Sequence, residues 1–335
     1  MIRRAAAFAL TLAQAVVFFG GVWLARGVHR SSTPGRPEVL FEVPRGSGLK
    51  AVARRLKQEG LVERKAPFLT AYALFLAPRP IKAGEYAWSG PLTPKRALLD
   101  LVGGKVHLRS VTIPEGLTVR ETAALLEEQG PWKAAAVLAA ARDASLVADL
   151  DPKAPNLEGY LFPETYFYSK ETPAGEMVRA MVEGFRYVLD DALLARAGRT
   201  GMTVRQAVIL ASLIEKETSR AEEKKLVSAV FHNRLRIGMK LDCDPTIIYA
   251  LKEQGVFKGN LRRRDLETPG PYNTYLRPGL PPGPICNPGR SSLEAAVDPA
   301  DAPYLYFVSR NDGSHVFSAN FRDHQNAVRR YQPKK

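Results

Sequence analysis

The chain has 335 residues, 45% of them hydrophobic and 24% charged, and carries a net charge of +14. That length suits an anchor plus two or so folded units, and the composition is that of a protein with a buried core. Two cysteines are too few for a disulfide-built scaffold or a structural zinc site. The excess positive charge attracts anionic partners such as nucleic acid, lipid headgroups or an acidic wall polymer. Apart from Arg262-Arg263-Arg264 and Lys334-Lys335 the basic residues are dispersed, with no basic stripe interleaved with aromatics, so nucleic acid is the least favoured partner.

After Arg3 and Arg4, an apolar run from Ala5 to Ala25 is interrupted only by Thr11 and Gln14. About twenty such residues match the hydrocarbon thickness of a bilayer at ~1.5 Å per residue. The run is long for a cleavable signal peptide and continues through Trp23, a residue suited to the membrane interface, so an uncleaved anchor is predicted over residues 1–30. Arg3 and Arg4 favour a cytoplasmic N-terminus, but Arg26 and Arg30 on the far side weaken the charge asymmetry.

Residues 31–38, rich in Ser, Pro and Gly, read as a linker. Val39–Val43 then has the pattern of a strand, Pro44–Gly48 of a turn, and Leu49–Glu59 of a helix stopped by Gly60. About 70 residues later the phrase recurs. Val111–Ile113, Pro114–Gly116 and Thr118–Gln129 repeat strand, turn and helix, aligning Pro44 with Pro114, Gly46 with Gly116, Ala53 with Ala123, Leu56 with Leu126 and Gly60 with Gly130. Thr118 and Glu121 have the spacing of a capping box. Such a unit looks like half of a LysM-type glycan-binding module; for the second copy, a packing unit without a ligand is the simpler reading. A short strand is expected near Glu85-Tyr86 and a helix capped by Thr93 running through Val102.

Beyond about residue 107 the pattern turns to helices and long loops. The helix opened by Thr203 is apolar almost all round from Ala207 to Ile214, hence buried, and ends in Glu215-Lys216-Glu217-Thr218. A carboxyl group at the end of a buried helix sits where desolvation raises its pKa, as a general acid requires. Residues two apart on a helix point about 200° from each other, so at most one of these glutamates faces a given cleft. Glu217 lies slightly nearer the apolar line. Periodicity alone leaves open that both are solvated.

Leu157–Tyr166 packs Glu158 and Glu164 among three aromatic rings, Tyr160 included, as a sugar groove does, or as a core strand with a proline stop. Asp244-Pro245-Thr246 has the form of a helix start, with Asp244 as N-cap. Tyr272-Asn273-Thr274-Tyr275 precedes a Pro- and Gly-rich segment, Gly279–Gly289, of the kind that is often functional. His315 and His324 lack any zinc-binding spacing, so neither metal nor cofactor is expected. Tyr304–Ser309 and His315–Ser318 read as a hairpin around Asp312-Gly313, followed by a helix from Phe321 to Tyr331. Helices and antiparallel strands in separate runs predict an α+β fold.

Taken together, Leu157–Thr165, Ala211–Thr218, Asn233-Arg234-Leu235, Asp244–Thr246, Tyr272–Tyr275, Gly279–Pro284 and Tyr304–Val308 resemble, in order and spacing, the endolytic murein transglycosylase family (YceG-like). The resemblance departs at Cys243 and Cys286, where other small residues are usual. It implies a transmembrane helix, a LysM-like membrane-proximal domain over residues 39–106, and a catalytic domain over 107–335, with 107–150 leading into it. It also implies single-pass placement in the cytoplasmic membrane with the catalytic domain outside. The implied reaction is lytic cleavage of the MurNAc–GlcNAc bond of nascent peptidoglycan to 1,6-anhydro ends, which terminates strand elongation beside peptidoglycan synthases. The implied acid is Glu217, with Glu215 second. Expected substrate contacts are Glu158, Tyr160, Glu164, Asp244, Thr246, Tyr272, Asn273 and Thr274. A non-catalytic wall-binding scaffold and a hydrolytic muramidase are the alternative functions.

Overall fold

The computed structural model describes residues 2–31 and 37–333. Most of the expected linker and the Lys334-Lys335 pair lie outside the described residues. The chain divides into two compact units, Met1–Arg109 with Phe167–Glu171, and Ser110–Tyr166 with Thr172–Lys335. Helices and short antiparallel strands make up both, as an α+β reading anticipates.

The first unit begins with helix α1 (Ile2–His29), whose segment Phe8–His29 is long and apolar enough to cross a membrane. Its apolar side chains, Phe8, Val17 and Phe19 among them, are exposed. Strand β1 (Val39–Val43), helices α2 (Leu49–Gln58) and α3 (Lys65–Phe75), strand β2 (Gly84–Trp88) and helix α4 (Pro94–Gly103) follow. β1 and β2 pair antiparallel with Phe41 opposite Tyr86. Alternation sends Phe41 and Val43 inward while Leu40 and Glu42 stay out, as the two-residue period of a strand requires. These inward residues, with Leu56, Phe68, Trp88 and Leu101, form the core of the unit. The Trp88 indole N–H reaches Asp100 at 3.1 Å, so the buried ring keeps a polar partner.

The second unit contains strand β3 (Arg109–Thr112), whose first residue belongs to the first unit. Helices α5 (Val119–Gln129) and α6 (Ala134–Ala140) come next, then strand β4 (Thr165–Tyr168), whose last two residues belong to the first unit. Helices α7 (Ala174–Val188), α8 (Asp191–Thr200), α9 (Val204–Glu217), α10 (Ala221–Arg236), α11 (Asp244–Glu253), α12 (Arg263–Glu267) and α13 (Arg290–Val297) precede a hairpin, β5 (Tyr306–Ser309) and β6 (His315–Ser318), and the closing helix α14 (Phe321–Tyr331).

The internal repeat is visible in the backbone. Gly46 and Gly116 both adopt left-handed φ, at 77° and 78°, and Ala53, Leu56, Ala123 and Leu126 are all fully buried. The copies part at their ends, for Gly60 is left-handed whereas Gly130 is extended. The second copy spends its turn on internal packing: Gly116 N–H donates to Asn287 and the Gly116 carbonyl accepts from Lys216. At Asp244 the helix starts one residue earlier than expected. Cys243 is the N-cap and its side chain accepts no capping bond, while Asp244 is already inside α11.

Candidate active site

Helix α9 is held from both ends. At its start Thr203 and Gln206 form a reciprocal capping box, satisfying two N–H groups that the helix leaves open. Ala207 to Ile214 are buried. The Pro-rich segment lies along the helix: Ser212 Oγ accepts from the Ile285 N–H at 3.1 Å, and the Cys286 thiol donates to the Ser212 carbonyl. Asn287 ties this segment to the loop after α6, accepting from both Gly159 and Leu161 N–H groups at 2.9 and 3.0 Å. Gly159 is required there, since it has φ of 88° and a Cβ would come within 2.6 Å of Pro284.

The two glutamates at the end of α9 diverge as helical geometry demands. Glu215 accepts from Lys224 at 3.2 Å through both oxygens and from the Gly289 N–H at 2.9 Å. Glu217 lines a cleft of about 470 Å³ with Arg234, Asp242, Asp244, Tyr275, Tyr306 and Phe321. Burial raises its pKa to about 7, helped by the charge of Asp244 and opposed by a hydrogen bond from Cys243 and the Arg234 guanidinium. At neutral pH the group is therefore divided between acid and carboxylate, the poise a residue needs to give and then take a proton.

Arg234 organises one wall. Its guanidinium donates to the carbonyls of Lys240, Leu241 and Leu305 and to the Asp242 carboxylate, and lies 5.3 Å from the Tyr306 ring centre. Asp242 is held at φ of 46°, a conformation non-glycine residues rarely adopt and one that recurs at functional sites. Tyr306, His324 and Phe321 form an aromatic face, with the Tyr306 and His324 rings stacked at 5.0 Å, and Phe321 is 56% exposed. His315, also in the cleft wall, is fixed by Glu223, which accepts from its Nδ1 at 2.6 Å. Rings beside carboxylates in an open cleft suit a sugar chain: faces stack on C–H surfaces and acids accept from hydroxyls.

Of the residues singled out in the sequence, Glu217 and Asp244 meet in this cleft, and Asp244 also accepts from the Tyr275 hydroxyl. The others lie apart from its lining. Glu158 is buried and accepts from the Val119 N–H at 3.0 Å, facing the start of α5. Tyr160 is buried against Phe185 and donates to Asp151. Thr246, Asn273 and Thr274 are buried and bonded within the protein. Tyr272 packs its ring 5.1 Å from Tyr249, and Glu164 is exposed. Among the described residues no three His, Cys, Asp or Glu side chains converge to hold a metal ion. Arg234, Asp242, Tyr275, Tyr306, Phe321 and His324 were not singled out as contacts, although Arg234, Tyr275 and Tyr306 stand within the phrases that carry the family resemblance.

Comparison with known proteins bears on the whole of this architecture. The family model described as YceG-like matches residues 41–330. An endolytic murein transglycosylase of Bacillus subtilis (strain 168) is 29% identical over 330 residues, covering 94% of this chain and 89% of that protein. One of Streptococcus pneumoniae (serotype 2, strain D39) is 28% identical and is matched over 95% of this chain; the chain spans 63% of that longer relative. The crystal structure of a YceG-like protein from Listeria monocytogenes superimposes with a TM-score of 0.59 at 30% identity, over 88% of this chain and all of that one. On a match of this extent, the chain belongs to the YceG-like family.

Proposed function

We propose that the protein is an endolytic lytic transglycosylase that cleaves between N-acetylmuramic acid and N-acetylglucosamine in peptidoglycan, with Glu217 as its acid and base. The observation that carries the reading is the Glu217 carboxyl, raised to about 7 in an open cleft walled by aromatic rings and carboxylates. The names of the matched relatives support it. Protonated Glu217 gives its proton to the glycosidic oxygen as the bond from the muramyl C1 breaks. The carboxylate then takes the proton of the muramyl C6 hydroxyl, whose oxygen closes on C1 as a 1,6-anhydro ring. The substrate supplies the nucleophile, so one carboxyl group serves where most glycosidases need two.

Helix α1 anchors the chain in a single pass, with the folded part on the extracytoplasmic face, where nascent strands emerge beside their synthases. Cleavage there terminates strand elongation. Residues 39–106 form the membrane-proximal LysM-like glycan-holding domain, supported by the β1–β2 pair that brackets α2 and α3, and residues 107–335 the catalytic domain. The positive charge of the chain favours an anionic wall polymer.

A hydrolytic muramidase is the second reading, favoured by the presence of Asp244 in the same cleft as Glu217. Incubating purified glycan strands with the protein and weighing the products separates the two, since anhydro ends are one water lighter than reducing ends. Glu217→Gln, with an unchanged thermal unfolding profile, should abolish cleavage. Full activity in that variant removes the acid from this reading, and an inactive parent chain leaves a wall-binding scaffold.

A further inference from the structure

We propose that the junction of α1 with the first unit binds an anionic phospholipid of the surrounding membrane. Its headgroup phosphate lies between Arg26 and Arg64, and an acyl chain runs along Phe19, Val22 and Trp23. The proposal rests on the reading of α1 as a membrane anchor above. The polar end of α1 is seated on the folded unit. Val28 belongs to the buried core of that unit, Leu24 packs against the same core, and a Cβ at Gly27 would come within 2.6 Å of the Pro67 ring. This seat on α3 fixes the arginines that follow Trp23 relative to the apolar span. Beside it a cavity of about 340 Å³ opens between α1, the residues before α3 and Pro94 at the start of α4.

The cavity changes character along the helix. Phe19, Val22, Trp23, Arg26 and Arg30 recur at steps of three and four residues and so share one face. Trp23 stands ~6 Å along the axis from Phe19, and Arg26 a further ~5 Å on, at ~1.5 Å per residue. Phe19 is 68% and Trp23 44% exposed, which places one ring at acyl-chain depth and the other where chains give way to headgroups. Arg26, Arg30 and Arg64 then line the headgroup end. Among the described lining residues the one carboxylate is Glu63, and it pairs with Arg30 at 3.2 Å. The Arg26 and Arg64 side chains have no hydrogen bond or ion pair among the described residues, so two guanidinium groups line the cavity uncompensated. Arg26 alone could be a cation favoured by the last turn of α1. Arg64 could not, because it is the N-cap of α3, where the dipole opposes a cation, and the first turn of α3 holds no acidic residue. A phosphodiester supplies the missing charge, since the guanidinium fork fits two phosphate oxygens. A soluble anion matches the arginines but leaves the apolar half of the cavity unfilled.

The test uses the full chain in phosphatidylcholine vesicles that carry a small fixed fraction of lipid brominated on its acyl chains, which quenches nearby indoles. Trp23 emission is the parent signal minus that of Trp23→Phe, which retains only the buried Trp88 and Trp132. Brominated phosphatidylglycerol should quench Trp23 more strongly than brominated phosphatidylcholine, a comparison that needs no variant of the site. The ratio of the two association constants should fall about fivefold in Arg26→Gln or Arg64→Gln, and about 25-fold in the double variant. Arg54→Gln with Lys57→Gln removes the same charge from the exposed face of α2 and should leave the ratio unchanged. An equal fall in that control overturns the proposal, as does a double Arg26/Arg64 variant that keeps the parental ratio. Displacement of the lipid by soluble glycerol phosphate also overturns it and assigns the cavity to a water-borne anion. Equal quenching by the two lipids sinks the proposal while α1 remains an anchor. Quenching by neither lipid takes α1 out of the bilayer, so the anchor reading fails separately.

Discussion

Lys224 Nζ stands 3.2 Å from both carboxylate oxygens of Glu215, and the two side chains are only 4% and 7% exposed. The ammonium also donates to Ser291 Oγ at 2.8 Å, and Glu215 accepts from the Gly289 N–H. The pair therefore fastens the end of α9 to α10 and to the start of α13. Glu217 is left as the member of the acidic pair that opens on the cleft. Breaking a buried pair on one side leaves an uncompensated charge and typically costs ~3–5 kcal/mol. Glu215→Ala should lose stability of that order in urea unfolding, while the folded fraction still cleaves. A variant as stable as the parent but inactive would give Glu215 the chemical role.

The pH dependence of Glu217 has a definite sign. Its pKa is about 7 in the folded chain against an ordinary 4.5, so between those values the folded state holds the proton and the unfolded state has released it. Its contribution to stability is fully present below about 4.5, falls as pH rises through about 7, and is level above. Glu217→Gln should abolish this slope, seen as a parent-minus-variant stability difference that declines across the window. Cleavage that begins with a protonated acid should decline above about pH 7. A rate that climbs steadily into alkaline conditions would contradict both the role and the poise.

Glu158 shows why a carboxylate among rings is ambiguous in sequence. Burial raises its pKa to about 8, but both oxygens face the Val119 N–H at 3.0 and 3.2 Å, where the start of α5 leaves backbone donors unpaired. Glu158→Gln keeps an acceptor and removes the ionisable group, so stability should hold and no longer fall between about pH 4.5 and 8. Glu158→Ala strands the Val119 N–H and should cost about 1–3 kcal/mol in denaturant unfolding. Neither change should alter kcat of the folded enzyme. A specific loss of kcat in the glutamine variant would return Glu158 to the substrate.

Features governed by neighbours in sequence were legible there. The capping box Thr118–Glu121, the opening of α9 at Thr203, the Asp312-Gly313 hairpin and the divergence of Glu215 from Glu217 all follow from local periodicity and backbone needs. Roles set by distant partners were not. Thr246, Asn273 and Thr274 are polar residues in loops, which is how ligand contacts look in a sequence. Their partners turn out to be the protein's own backbone: Asn273 donates to the Leu266 and Thr268 carbonyls and accepts from Tyr275 and Leu276. Tyr306, Phe321 and His324 gather only when the hairpin and α14 fold together.

The loop before β4 depends on a similar distant arrangement. Asp151, whose side chain is 1% exposed, is paired with Arg205 at the first turn of α9 and accepts from the Tyr160 hydroxyl at 2.7 Å. The same guanidinium donates to the Pro282 carbonyl, so one planar donor joins the loop, the helix and the Pro-rich segment. Lysine cannot reproduce two directed bonds from one rigid fork. Arg205→Met should cost ~3–5 kcal/mol by leaving a buried carboxylate without its cation, and Arg205→Lys should recover only part of this. Adding Asp151→Asn to the methionine variant removes the stranded charge and should regain stability. A double variant as unstable as the sum of the two single ones would mean that the pair is not coupled and that Arg205 acts through the Pro-rich segment alone.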